Sequence, residues 1–226
     1  LDEQGRITPR GEEYLEAILN MRVEGHTVVA ARLAKRLSVS PPTVAGALRR
    51  LKRDGLISAN SRKEIELTDK GEQEALTIVR RHRLVERLLT DILEVEWAAC
   101  HEEACLMEHA ISPLVESKLY QRLGQPDTCP HGNPIPGDKS LPPPKGMPLD
   151  TVSQGTLVEV TRISEEANYT PELMRFFQGQ NILPGKTFQV KEVASHIGTI
   201  TLASESGEIS LGVKAAKIIW VIPLTG

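Results

Sequence analysis

The chain has 226 residues, 40% of them hydrophobic and 25% charged, with a formal net charge of -3. That length allows one to three domains with a real core, and the charge excludes a uniformly basic nucleic-acid coat. Three cysteines are too few for a disulfide scaffold, and no signal peptide or long apolar run is present, so we expect a cytoplasmic protein outside membranes.

Taken in order, the first predicted element is a helix capped by Thr8, opened by Pro9, running to about Val23 and ended by Gly25. A second short helix follows from Val28 to Leu37. Ser40 and Pro41 then have the chemistry of a cap and a first-turn residue for a third, running to about Arg53. Its residues Val44, Ala47, Leu48 and Leu51 face inward, whereas Arg49, Arg50, Lys52 and Arg53 face outward. Two short helices about a tight turn, followed by Asp54-Gly55, make a helix-turn-helix. Leu56-Ile57-Ser58 and Ile65-Glu66-Leu67, joined by Asn60-Ser61-Arg62-Lys63, read as a β-hairpin, the wing of a winged helix. Between Val28 and Glu64 nine basic residues stand against two acidic ones. An ordinary three-helix core would share the apolar pattern, but its cations need not gather on one helix and one hairpin tip. Arg49, Arg50, Lys52, Arg62 and Lys63 are therefore expected to meet DNA phosphates.

Thr68 or Asp69, with Glu72, starts a long helix. From Ala75 to Leu93 its apolar residues share one face, and His82 and Glu86, four residues apart, project from that same stripe. The next helix repeats the pattern: His101, Cys105, Glu108 and His109 fall within an arc of ~100°. Imidazole, thiolate and carboxylate groups at this spacing converge, and a divalent cation offsets their desolvation. A hydrogen-bonded polar interface is the alternative. Ser112-Pro113 breaks that helix and starts another to about Leu123. Residues 124–149 hold eight of the fifteen prolines and are expected to lack regular structure. Thereafter the period becomes two, at Val158/Val160, Phe188/Val190, Ile200/Leu202, Ile209/Leu211 and Ile218 to Ile222, with one helix at Pro171 to Gln178 and glycine turns, a pattern of a small barrel. His26 and His196 read as solvated, Cys100 as a packed thiol, and Trp97 and Trp220 as core or interface residues without a stacking role.

These features together resemble the diphtheria-toxin-repressor family of metal-dependent transcriptional regulators. The resemblance runs through the winged helix, His82-Arg83-Leu84-Val85-Glu86-Arg87-Leu88-Leu89-Thr90-Asp91, His101-Glu102-Glu103-Ala104-Cys105 with Glu108-His109, and Gly132-Asn133-Pro134-Ile135-Pro136-Gly137. It implies a mainly α chain with a small β domain, divided into a winged-helix DNA-binding domain (1–70), a helical dimerisation and metal-binding domain (71–125), a Pro-rich linker (126–149) and an SH3-like barrel (150–226). It also implies a homodimer that represses metal-uptake genes on a palindromic operator when Mn(II) or Fe(II) is plentiful. By resemblance, the primary metal site maps to Glu13, Cys105, Glu108 and His109. Glu13 is of the manganese type and Cys105 of the iron type, so the set is a hybrid. The ancillary site maps to His82, Glu86 and His101. The two ligands that the iron type draws from its SH3-like domain align with Thr170 and Leu173, which leaves Glu172 as the nearest substitute. Cys129-Pro130-His131 resembles a metal-binding segment of streptococcal manganese regulators, making Cys129 and His131 further candidates. Ser40, Pro42 and Thr43 match the family's DNA reader, while the Gln common further along is Gly46 here.

Two other readings compete with the metal-sensing regulator. One is a winged-helix DNA-binding protein with a purely structural metal. The other is a metallohydrolase, but the chain has no H-E-x-x-H motif and no nucleophile–base pair, so no enzymatic activity is expected. On ligand hardness Mn(II) and Fe(II) should both activate, and Zn(II) or Cd(II) should bind in vitro.

Overall fold

The computed structural model describes residues 6–137, 140–205 and 207–224. Asp138 and Lys139 of the expected linker, and the first five residues of the expected DNA-binding domain, lie outside the described residues.

Helix α1 (Pro9–Val23) starts where its cap predicts, with the Thr8 hydroxyl accepting from the Gly11 amide at 3.2 Å. Helices α2 (Ala30–Arg36) and α3 (Pro41–Arg53) follow, α3 capped by Ser40, whose hydroxyl also bonds that of Thr43 at 2.8 Å. Strands β1 (Ile57–Ala59) and β2 (Ile65–Leu67) pair antiparallel, Ile57 opposite Leu67. The Asn60 side-chain oxygen Oδ1 closes their turn by accepting from the amides of Arg62 and Glu64 at 2.9 and 3.0 Å, an Asx turn that sets the wing tip. Leu15, Ile18, Leu19, Leu33, Val44, Leu51 and Leu56 form the core beneath.

Helix α4 (Asp69–Asp91) opens with the Thr68 hydroxyl accepting from the Gly71 amide at 3.1 Å. Its first turn lies so close to the wing that a Cβ on Gly71 would stand 1.8 Å from the Leu56 carbonyl oxygen. Only glycine fits there. Arg22 forks onto Glu72 at 2.6 and 2.9 Å, tying α1 to α4. Helix α5 (Cys100–Met107) tightens into a 3-10 turn at Glu108–Ala110, and Ser112 caps α6 (Pro113–Arg122). Arg80 and Arg81 each donate Nε to Glu116 at 3.0 Å, and Arg80 lies 4.3 Å from the Tyr120 ring centre, which holds α6 on α4.

The chain forms two compact units. One comprises the described residues up to 85, with 104–125 and 135–142; the other comprises 86–103, 126–134 and 143 onward. The division between the units falls inside α4 after Val85, and the Pro-rich stretch is shared between them. The stretch is also more ordered than its prolines suggest. Cys129, His131, Asn133 and Ile135 are buried, the Cys129 amide donates to the Asn133 carbonyl at 2.8 Å, and Met147–Pro148 forms strand β3.

In the second unit, β4 (Leu157–Ile163), α7 (Pro171–Gly179), β5 (Thr187–Ala194), β6 (Thr199–Ser204), β7 (Gly207–Gly212) and β8 (Ile219–Pro223) follow the predicted pattern, and a short helix α8 (Val213–Ala216), not predicted, precedes β8. The antiparallel sheet has the order β3-β8-β4-β5-β6-β7. Alternate residues Val158, Val160, Val190, Leu202 and Val221 pack with Phe177 into one core. Among the described residues no helix is long and apolar enough to cross a membrane.

Gly71→Ala should cost about 1–3 kcal/mol, since backbone must move to admit the methyl group. Urea unfolding measures this; an unchanged midpoint would mean that α4 and the wing are not in close contact.

Candidate functional site

The first donor set lies entirely in the N-terminal unit and centres on Glu108. This carboxylate is 1% exposed and meets two imidazoles: Oε2 lies 2.5 Å from His82 Nδ1, and Oε1 lies 3.4 Å from His109 Nε2. Each element contributes for a local reason. His82 sits on the apolar stripe of α4, so burying the stripe buries the ring. The 3-10 turn after Met107 tightens the chain and brings Glu108 inward. From α1, Glu16 offers an oxygen that lies with ligand atoms of His82 and Glu108, all within 4.8 Å of one another. Glu12 accepts from His109 Nδ1 at 2.6 Å.

Glu16 and Glu12 were not singled out in the sequence. A charged residue between the buried Leu15 and Ala17 was the available signal for Glu16. Glu13, assigned to the site by resemblance, pairs instead with Arg10 and is about one-third exposed. Cys105 is exposed on α5, one turn before Glu108. His82, paired by spacing with Glu86 and joined with His101 by resemblance, has its close contact with Glu108 because the 3-10 turn carries that carboxylate to it.

The second donor set lies in the C-terminal unit. Ligand atoms of Glu86, Cys129 and His131 are within 4.8 Å of one another, and all three residues are buried. His101 Nδ1 lies 3.3 Å from Glu86 Oε1. His131 Nε2 lies 3.1 Å from the Trp97 carbonyl oxygen, which can only accept, so Nε2 carries a proton. Nδ1 then faces Glu86 Oε1 at 3.2 Å, a contact without good hydrogen-bond geometry, so that it points into the donor set. Glu165, buried at the start of a 3-10 turn, is close enough to help raise the Cys129 thiol pKa, with burial the largest cause. Glu172 is not part of this group. Its carboxylate is 78% exposed on the outer side of α7 and pairs with Arg175. The resemblance suggested it as the nearest substitute for the residues aligned with Thr170 and Leu173, whereas the 3-10 turn preceding α7 carries a buried acid, Glu165.

Both sets fit a divalent cation. Carboxylates and imidazoles, joined in the second set by a thiol, are the donor types that a divalent cation takes, and His131 Nδ1 points into its set. A Gly132 side chain would collide with the Thr161 carbonyl oxygen at 2.1 Å, so the loop bearing Cys129 and His131 lies tightly on β4.

Ser40, Pro42, Thr43, Arg49, Arg50, Lys52, Arg62 and Lys63 are all exposed, on α3 and at the wing tip. Gly46 is open to space, with only Arg50 Nη1 near the position of a Cβ.

Residues 6–65 match the description "Iron dependent repressor, N-terminal DNA binding domain", residues 68–137 "Iron dependent repressor, metal binding and dimerisation domain", and residues 147–223 "FeoA domain". The diphtheria toxin repressor of Corynebacterium diphtheriae is 34% identical over 207 residues, covering 88% of this chain and 87% of that protein. The chain belongs to the diphtheria toxin repressor family. The iron-dependent repressor IdeR of Mycobacterium tuberculosis is 45% identical over 126 residues, but that match spans only about half of each, 56% of this chain and 55% of IdeR. Among solved structures, a manganese-dependent transcriptional repressor complexed with manganese superposes with a TM-score of 0.85 at 34% identity, over 95% of this chain and all of that one. ScaR with bound Zn(II) gives 0.82 at 25% identity, over 95% and 99%. These family members are named as repressors, and none as an enzyme.

In this family member the Glu12 contact raises the His109 pKa, with its hydrogen bond the largest cause and the Glu108 charge adding to it. A raised imidazole pKa gives a contribution to stability that is full below the unfolded value and lost as pH rises through the folded one. Glu12→Gln should therefore move His109 titration down towards 6.5. An NMR titration in the presence of a chelator reads this directly; an unmoved midpoint would mean that Glu12 does not hold the ring.

Proposed function

We propose that this protein is a metal-dependent, DNA-binding transcriptional repressor, active when Mn(II) or Fe(II) is plentiful. One observation carries the reading: half-buried acids on α1, the first helix of the winged-helix fold, meet the buried His82 and Glu108 and the half-buried His109 in one donor set. Glu13, Cys105, Glu108 and His109 form the primary site, with Glu16 and His82 beside them, and Glu13 leaves Arg10 to bind. A bound divalent ion would neutralise the gathered carboxylates. The acids of α1 would then be held against Glu108 and His109, fixing α1 against the 3-10 turn and favouring one orientation of the winged helix. Moving a two-state equilibrium from ~1:99 to ~99:1 requires roughly 5.5 kcal/mol of differential binding, within reach of several inner-sphere ligands.

Glu86, His101, Cys129 and His131 form the ancillary site, with Glu165 in the place first given to Glu172. The relatives' names supply the chemistry: repressors that depend on iron or manganese, and one structure with Zn(II) bound. Helix α6 buries none of its residues, and Leu106, Leu114 and Val115 are exposed, which supports a homodimer closing over them. Such a dimer sets two α3 helices about one helical turn, or a multiple of it, apart on a palindromic operator. Arg49, Arg50, Lys52, Arg62 and Lys63 bind phosphates there, and Ser40, Pro42 and Thr43 meet base edges. The cytoplasm is the compartment this role requires, and metal-uptake genes are the expected targets.

The test is operator binding against free Mn(II) and, anaerobically, Fe(II). A thiolate is softer than a carboxylate, so Cys105→Glu should shift activation towards Mn(II) and Glu13→Met towards Fe(II). Identical metal rankings in all three proteins would place the sensing ligands elsewhere.

In the same assay, neutralising one true phosphate contact among the five cations should weaken binding to every duplex and lower the salt slope by about one. Unchanged affinity and slope in several such variants would move the DNA surface elsewhere.

A further inference from the structure

Trp97 makes three separate contacts with the loop that carries Cys129 and His131. Its indole Nε1 donates to the Pro130 carbonyl at 2.9 Å. Its own carbonyl accepts from His131 Nε2 at 3.1 Å. Its ring meets the imidazole edge-on, with centres 4.6 Å apart and planes at 71°. The first contact anchors the loop between the two ligands, the second fixes which imidazole nitrogen keeps its proton, and the third fixes the ring plane. All three also leave Nδ1 pointing at Glu86 and Cys129. Trp97 is itself held, packed on the β-domain core and next to Ala98, whose amide donates to Gln178 Oε1 at 2.8 Å. Nothing in a core-filling role requires the indole N–H to end on the peptide between two candidate ligands.

We propose that Trp97 is the positioning residue of the Glu86–Cys129–His131 set, pre-aiming His131 Nδ1 and Cys129 Sγ at a divalent cation. The proposal rests on reading that set as the ancillary metal site. Because the loop is held before the ion arrives, the cation meets donors already in place, and its binding need not order the loop.

Cobalt(II) is a suitable probe, because a thiolate-to-cobalt band reports a bound cysteine. In a full-length Cys105→Glu background the band can report Cys129, and Cys129→Ser should abolish it. Placing Trp97→Leu in that background should lower the cobalt affinity read from the band roughly ten- to a hundredfold, the usual range for outer-shell partners of metal ligands. Trp97→Phe keeps a ring against His131 but loses the N–H, so its affinity should fall by less. If Trp97→Leu does not fold, Trp97→Phe carries the test. A variant with a lowered melting temperature but unchanged band and affinity would overturn the proposal, because packing alone would then explain the residue. Absence of the band in the Cys105→Glu background, or its survival in Cys129→Ser, would instead overturn the reading of the set as a metal site.

Discussion

One carboxylate, Glu108, at 1% exposure between two imidazoles, is the constraint on which the N-terminal unit depends. A carboxylate buried there needs hydrogen-bond donors or positive charge beside it. Protonated histidines can supply it, and so can a divalent cation, and the two compete for the same lone pairs. On the proposed reading, metal binding at this set would release protons. Since Glu12 and Glu16 come from α1, the exchange is felt by the helix on which the DNA-reading fold is built.

The second donor set works on a different principle. Its loop is held along β4 by the Gly132 close approach and the Asn133 side chain, which donates to the Ile163 carbonyl at 3.0 Å and accepts from Arg162 at 3.0 Å. Arg162 is itself buried and 4.0 Å from the Trp220 ring centre, so both tryptophan rings lie against polar groups, Trp97 edge-on. The first set joins groups from α1, α4 and the 3-10 turn and suits a switch. The second rests on a sheet and suits a ligand held in place.

Most of the fold was legible in the sequence, because caps and periods are local. Thr8, Ser40 and Ser112 each start the helix they predict, and the period of two from Val158 onward becomes the sheet. The donor sets were legible as residue types but less so as partners. Spacing on α4 puts His82 beside Glu86, whereas a 3-10 turn outside that helix gives His82 to Glu108. Glu165 lies on another such turn, and Glu12 differs from Glu13 only by the 100° that separates neighbours on a helix. Tertiary placement decided these assignments, and no periodicity encodes it. The tryptophans show the same limit: apolar bulk predicted burial, but not what the rings would touch.

The most direct measurement is anomalous diffraction at the manganese edge from crystals grown with Mn(II). Two peaks per chain are expected, one among Glu13, Glu16, His82, Cys105, Glu108 and His109, and one beside Glu86, Cys129 and His131. Both donor sets free of anomalous density under saturating Mn(II) would contradict the account.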